Sequence, residues 1–141
     1  MSTAECFEDA FNLLCGTLLG EGVHRKVFAC RLRPELVVKV EAEPVFRYFA
    51  NVHEMKMWND ASTGEMKWLA PCRYLSPDGR ILLQERADPV PADYEMPERM
   101  PSFLTDFKRE NFGILRGKLV CIDYAMPIPS YNSRLKKVNW S

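Results

Sequence analysis

Residues 17–41 read Thr17-Leu18-Leu19-Gly20-Glu21-Gly22-Val23-His24-Arg25-Lys26-Val27-Phe28-Ala29-Cys30-Arg31-Leu32-Arg33-Pro34-Glu35-Leu36-Val37-Val38-Lys39-Val40-Glu41. Three β-rich runs stand out in it, at 17–19, 26–32 and 36–40. The first two are joined through Gly20-Glu21-Gly22 and the last two through Arg33-Pro34-Glu35, both of turn composition. Connections this short predict an antiparallel meander. Downstream, Ser76-Pro77-Asp78-Gly79 has the Pro and Gly of a type I turn and is flanked by further β-like runs at 73–75 and 80–84. Between the two groups, Pro44 suits the first turn of a helix, and Phe46, Phe49, Ala50, His53 and Met57 then fall on one face. Upstream, Ser2 and Glu5 have capping-box spacing, Phe7, Ala10, Phe11 and Leu14 repeat with helical period, and Gly16 is placed to close the helix. The expected fold is α+β, with a five-stranded antiparallel sheet and one long helix.

Beyond residue 86 the pattern changes. Residues 87–101 carry Pro89, Pro91, Pro97 and Pro101, a density that removes backbone donors and predicts an extended connector. Residues 114–116 and 118–122 around Gly117 predict a hairpin, and residues 127–141 read as a tail without period. The 141 residues fit one domain, since domains run roughly 100 to 200 residues, and 47% apolar content supplies a core. Nineteen basic and nineteen acidic side chains cancel, although residues 108–141 carry a net charge of +5. The basic side chains there, from Lys108 to Lys137, lie near Tyr131 and Trp140, but charge of this density ordinarily forms a solvated face, so nucleic acid is not an expected partner. Five scattered cysteines fit free thiols in a reducing compartment, and two distant histidines are too few for a zinc site. With no signal peptide and no apolar run of membrane-spanning length, the expected location is the cytoplasm, with no membrane.

Three places carry chemistry. Gly20, Gly22, Arg25 and Val27 form G-x-G-x-x-R-x-V between two strands. Glycines in a hairpin ordinarily supply positive φ, and the functional alternative is a flap whose backbone approaches phosphates. Lys39 lies in an otherwise apolar strand. Either it reaches solvent from the outer face, or it points inward and needs an anionic partner, for which Glu54 in the following helix is the candidate. Farther on, Asp106-Phe107-Lys108-Arg109-Glu110-Asn111 is followed, twelve residues after Asn111, by Asp123-Tyr124-Ala125 at the end of a β run.

Together these resemble a protein kinase: a glycine loop, a V-x-K strand, a helix with a glutamate, then D-x-K-x-E-N and a D-F-G-like tripeptide, in the kinase order over residues 17–125. The resemblance implies a single kinase-like domain, with an N-lobe over residues 1–86, the connector at 87–101, and a rudimentary catalytic core at 102–126. It implies that Gly20, Gly22 and Val27 cover ATP, that Lys39 holds its α and β phosphates and that Glu54 orients Lys39. Glu85, Arg86 and Ala87 would bond the adenine through their backbone. Asn111 and Asp123 would ligate magnesium, Asp106 would accept the acceptor's proton, and Lys108 would lie near the transferred group. There are departures. Arg25 replaces the third glycine, Leu104-Thr105 precedes the aspartate, D-F-G has become D-Y-A, and only twenty-one residues separate Glu85 from Asp106.

Two functions follow from the resemblance. One is a minimal ATP- and magnesium-dependent phosphotransferase acting on a protein Ser or Thr. The other is a non-catalytic, pseudokinase-type module that binds and inhibits a partner protein. A trimmed helical lobe implies apolar surface near residues 102–125, and hence a homodimer or partner complex. The compactness suggests a viral or mobile-element gene, for which the location would be the host cytoplasm.

Overall fold

The computed structural model describes residues 3–41, 49–124 and 134–141, which fall into two compact units: Met1–Asn51 with Cys72–Arg86, and Val52–Pro71 with Ala87–Ser141.

The first unit is an α+β structure. Helix α1 (Thr3–Leu14) precedes strands β1 (Cys15–Glu21), β2 (Arg25–Cys30) and β3 (Leu36–Glu41), and β4 (Cys72–Leu75) and β5 (Ile81–Glu85) complete an antiparallel sheet of order β1-β2-β3-β5-β4. The expected five-stranded antiparallel sheet is therefore present. Side chains alternate between faces along each strand. Leu36, Val38 and Val40 form a core with Cys15 and Cys30, onto which Phe11 and Leu14 of α1 pack. Phe11 meets Phe28 edge-on at 5.2 Å. The opposite face carries Val37 and Lys39. Gly16 does not close α1. It lies inside β1, where a Cβ would stand 3.2 Å from the Ala29 carbonyl oxygen, so glycine permits close strand approach. The Ser76–Gly79 turn forms as expected, with the Gly79 amide donating to the Ser76 carbonyl at 2.9 Å. The Ser76 hydroxyl and the Arg80 amide donate to Asp78 and hold its carboxyl below the usual range.

Helix α2 (Ala50–Asp60) buries only part of the face its apolar residues predict. Ala50, Asn51, Glu54 and Met57 are buried, whereas Phe49 and His53 are exposed. Two polar residues with buried partners decide the orientation. The proposed helix start at Pro44 and Phe46, and the Ser2 cap of α1, lie outside the described residues. A single-turn helix, α3 (Thr63–Met66), was not expected. It is set by a capping box in which the Ser62 hydroxyl accepts from the Glu65 amide and the Glu65 carboxylate accepts from the Ser62 amide at 2.8 Å.

In the second unit, β6 (Asp88–Pro89) pairs with β8 (Phe112–Leu115), which pairs with β9 (Lys118–Cys121), and β7 (Arg99–Pro101) pairs with β10 (Leu135–Lys137). The hairpin expected around Gly117 turns through Arg116 (φ 49°) and Gly117 (φ 78°), the two positive values that a tight hairpin loop requires. Gly113 is sterically obligatory, because a Cβ there would lie 2.7 Å from the Ala87 Cβ and 2.9 Å from the Asp88 carbonyl oxygen. Two expectations are corrected. Residues 87–101 are not a plain connector, since Pro89 and Pro101 lie in short strands with few ladder bonds to lose. Nor are residues 134–141 a loose tail, since β10 pairs with β7 in register, Leu135 opposite Pro101.

The apolar surface expected near residues 102–125 is absent among the described residues: Phe103, Leu104, Phe112, Leu119 and Val120 are all buried. The large exposed apolar side chains, such as Leu13, Val23 and Leu32, lie elsewhere. Of the cysteines, Cys15, Cys30, Cys72 and Cys121 are buried free thiols and Cys6 is exposed. No described helix is long and apolar enough to cross a membrane.

Candidate functional site

The candidate residues form one group in each unit. In the first, strand register aligns three of them. Gly20 lies opposite Val27, Val27 opposite Lys39, and Lys39 opposite Leu82, so a row runs from the β1–β2 flap across the sheet to Lys39. Lys39 is only 3% exposed, which excludes the alternative of an outer-face lysine reaching water. Val37 and Gln84, one row on, are buried as well.

The flap glycines are informative for what they do not do. Neither Gly20 nor Gly22 has positive φ, and a Cβ would meet nothing within 4 Å at Gly20 and only the Arg25 carbonyl oxygen, at 3.8 Å, at Gly22. The hairpin closes through the Gly22 amide donating to the Arg25 carbonyl at 2.8 Å, a bond any residue could make. Local geometry thus gives no reason for glycine at either place. Glu85, at the end of β5, is 8% exposed and its carboxylate is paired with the Arg73 guanidinium. Its side chain is committed within the sheet, Glu85 pairs with Leu36 in the β3–β5 ladder, and the Arg86 amide donates to the Glu35 carbonyl at 2.8 Å. Ala87 belongs to the second unit and packs its methyl group where a side chain at Gly113 would stand.

A polar centre that sequence reasoning missed lies in the same unit as Lys39. Asn51, at the start of α2, has no exposed surface. Its amide nitrogen donates to the carbonyls of Lys39 (3.0 Å), Gly79 (3.1 Å) and Arg80 (3.0 Å), its side-chain oxygen accepts from Arg25 (3.1 Å), and its backbone amide donates to the Glu41 carboxylate (2.6 Å). Arg25, which stands where the resemblance calls for a third glycine, is therefore a buried structural side chain. The signal in the sequence was a polar residue at a helix start beside apolar strands, and it is too common to single out.

In the second unit, Glu54 is wholly buried and its carboxylate accepts from the backbone amide of Tyr124 at 2.8 Å. This joins the helix glutamate to the residue immediately after Asp123. Tyr124 is buried, and its hydroxyl donates to the Ala70 carbonyl at 2.6 Å, so both ends of the residue are held. The Asp106–Asn111 stretch is a tight loop with a 3₁₀ turn at Arg109–Asn111. The Lys108 amide and the Asn111 side-chain nitrogen both donate to the Asp106 carbonyl at 2.9 Å, and the Lys108 ammonium lies 3.6 Å from the exposed Asp106 carboxylate. Asp106 has φ 55°, a left-handed conformation that costs a non-glycine residue roughly 1–2 kcal/mol. Across the hairpin the Ile122 amide donates to the Asn111 carbonyl at 2.9 Å, which sets Asn111 beside the strand end that carries Asp123. Asp106, Lys108 and Asn111 thus share one loop, and that loop is bonded to Ile122, next to Asp123, while Glu54 is bonded to Tyr124 on the other side of Asp123, all within one unit.

Asn111 and Asp123 carry oxygens of the chemical kind that magnesium takes. The Asn111 nitrogen is used on Asp106, leaving the amide oxygen as the acceptor, and the Asp123 side chain is exposed, so the donors are hard oxygens. No three His, Cys, Asp or Glu side chains gather among the described residues, and magnesium held largely by phosphate and water needs no such cluster. No family model matches the chain, and no curated protein matches it either.

Proposed function

We propose that this chain is a minimal kinase-like phosphotransferase that uses ATP and magnesium, with a protein Ser or Thr as acceptor, and that its first unit is kinase N-lobe-like. The observation that carries the reading is the gathering of Asp106, Lys108 and Asn111 beside the strand that delivers Asp123, with Glu54 bonded to the amide of Tyr124. Phosphoryl transfer asks little covalent chemistry of a protein; it asks for positioning and for cations around the phosphates. In this reading Lys39 supplies a cation from a buried strand position, and flap glycines that the local fold does not require leave room for phosphate oxygens close to the backbone. Val27, opposite both Gly20 and Lys39, contributes apolar surface, and the backbone at Glu85 and Ala87 meets the base. Magnesium, when bound, neutralises charge on the phosphate oxygens, and Asn111 and Asp123 are the residues that hold it. Asp106 accepts the acceptor hydroxyl's proton, and its unfavourable φ belongs to the class of strained conformations that concentrate at functional sites.

A non-catalytic module is the second reading. Residues 86–105 form only the short strands β6 and β7, with no helix to present a peptide acceptor.

Thermal shift and transfer of labelled γ-phosphate separate the two. Magnesium ATP at 100-fold above its dissociation constant is expected to stabilise the native chain by about 2.7 kcal/mol, and Lys39→Ala to lose most of that. Asp123→Asn is expected to weaken both the shift and the transfer. Asp106→Asn is expected to keep the shift and lose the transfer. A native rate equal to that of Asp106→Asn leaves the module reading, and no shift at millimolar ATP overturns the phosphotransferase together with any version of the module that works through bound nucleotide.

A further inference from the structure

Phe107 lies between the proposed base and Lys108, and the 134–141 segment grips it from several sides. The Phe107 ring stacks on Phe112 at 6.1 Å and 13°, and Trp140 meets both rings edge-on, at 5.5 Å from Phe107 and 4.9 Å from Phe112. The Lys136 ammonium stands 5.3 Å from the centre of the Phe107 ring and donates to the carbonyls of Ser102 at 3.3 Å and Leu104 at 2.9 Å. The Ser141 amide donates to the Phe107 carbonyl at 3.0 Å, and the Trp140 indole N–H donates to the Pro97 carbonyl at 2.7 Å. The far end of the loop is tied down separately, by the Arg109 guanidinium donating to the carbonyls of Pro91 at 3.0 Å and Tyr94 at 2.8 Å and by the Ile122 amide donating to the Asn111 carbonyl, whereas the bonds that reach Asp106 stay within the loop: Lys108 to Asp106 and the Asn111 side chain to Asp106. Bonds so local do not by themselves hold a non-glycine residue at φ 55°, a conformation that persists only where its surroundings over-determine it.

We infer that the 134–141 segment is a strap that positions the Asp106 loop through Phe107, with Trp140 and Lys136 as positioning residues. The catalytic consequence rests on the phosphotransferase reading; the restraint on the loop does not. Trp140 supplies a rigid ring with a polar edge, so one side chain fixes both the aromatic cluster and the Pro97 carbonyl. Lys136 supplies donors to two carbonyls that precede the loop and a cation over its aromatic side chain. Since Asp106 acts on the acceptor and not on the nucleotide, loosening the strap should be felt in turnover and not in nucleotide affinity.

The test uses the full chain with Trp140→Ala, Trp140→Phe and Lys136→Met, and reads two quantities. Amide hydrogen exchange at Lys108 and Asn111 is expected to rise about tenfold in Trp140→Ala, with the amides of β3 unchanged. The kcat for labelled γ-phosphate transfer is expected to fall about 100-fold with the KM for magnesium ATP unchanged, as for a misplaced catalytic group. Trp140→Phe, which keeps an aromatic ring, should restore most of both. If Trp140→Ala does not fold, Lys136→Met makes the same comparison, because it keeps the apolar stem and removes only the ammonium. Unchanged exchange at Lys108 and Asn111 overturns the strap, and a loss of kcat matched by an equal change in KM overturns its role in positioning Asp106. If the native chain transfers no phosphate, the phosphotransferase reading falls and the exchange result alone decides the strap.

Discussion

An asparagine side chain cut off from water must find partners for its oxygen and its amide nitrogen within the protein, and Asn51 finds them on β2, on β3 and on the β4–β5 turn. Each such bond is worth roughly 0.5–1.5 kcal/mol, but leaving its buried partners unsatisfied costs more. Asn51→Ala is therefore expected to destabilise the chain by about 2–4 kcal/mol, read as a lower urea midpoint with the slope preserved. Residue-scale features of this kind were hardly legible beforehand. Lys39 was, because a lone cation in an apolar strand poses a question that burial answers. Asn51 and Arg25 were not, because their roles depend on bonds to residues 10 to 29 positions away. Asp106 and Asn111 could be picked out by spacing, but the left-handed backbone at Asp106 left no trace in composition.

At the scale of elements, the strands of the first unit could be read because their short apolar-rich runs are bounded by turn residues that allow few conformations. The buried face of helix α2 was misjudged at Phe49 and His53, because apolar periodicity assumes that polar residues face water and Asn51 and Glu54 do not. Strands β6, β7 and β10 were invisible, being two or three residues long and paired with partners distant in the chain, and β6 and β7 each contain a proline. Gly113 offers a test of how tightly these pieces meet. A methyl group there collides with Ala87 and with the Asp88 carbonyl, so Gly113→Ala is expected to cost about 1–3 kcal/mol by overpacking. Adding Ala87→Gly should recover part of the loss but not all, since the carbonyl contact remains. Chemical unfolding of the two single variants and the double variant would measure the coupling.

For the molecule as a whole, the balance of charge hides a pH dependence that resides in a thiol. Burial, reinforced by the neighbouring Cys30, raises the Cys15 pKa from its ordinary 9.0 to about 11, with Arg31 pulling weakly the other way. In the unfolded chain this thiol gives up its proton near 9.0, while the folded chain keeps it until about 11. The native state therefore holds more protons in that window, and stability must fall as pH rises through it. Urea midpoints measured across the window are expected to decline in the native chain and to decline less in Cys15→Val. Equal declines would place the effect on other groups.

Neither unit is built from one uninterrupted stretch of chain: residues 52–71 belong with residues that begin at 87, and the sheet that starts before them is completed after them by 72–86. During synthesis this imposes an order. Strands β1 to β3 can pair as soon as they leave the ribosome, but Trp68 and Ala70 bond to Cys121, and the Tyr124 hydroxyl to Ala70. At 5 to 20 residues per second, residues 68–70 wait roughly 3–10 s for those partners. For that interval residues 52–71, rich in Met and Trp, are out of the ribosome without the rest of their own unit, which is the stretch a chaperone or a neighbouring nascent chain would meet.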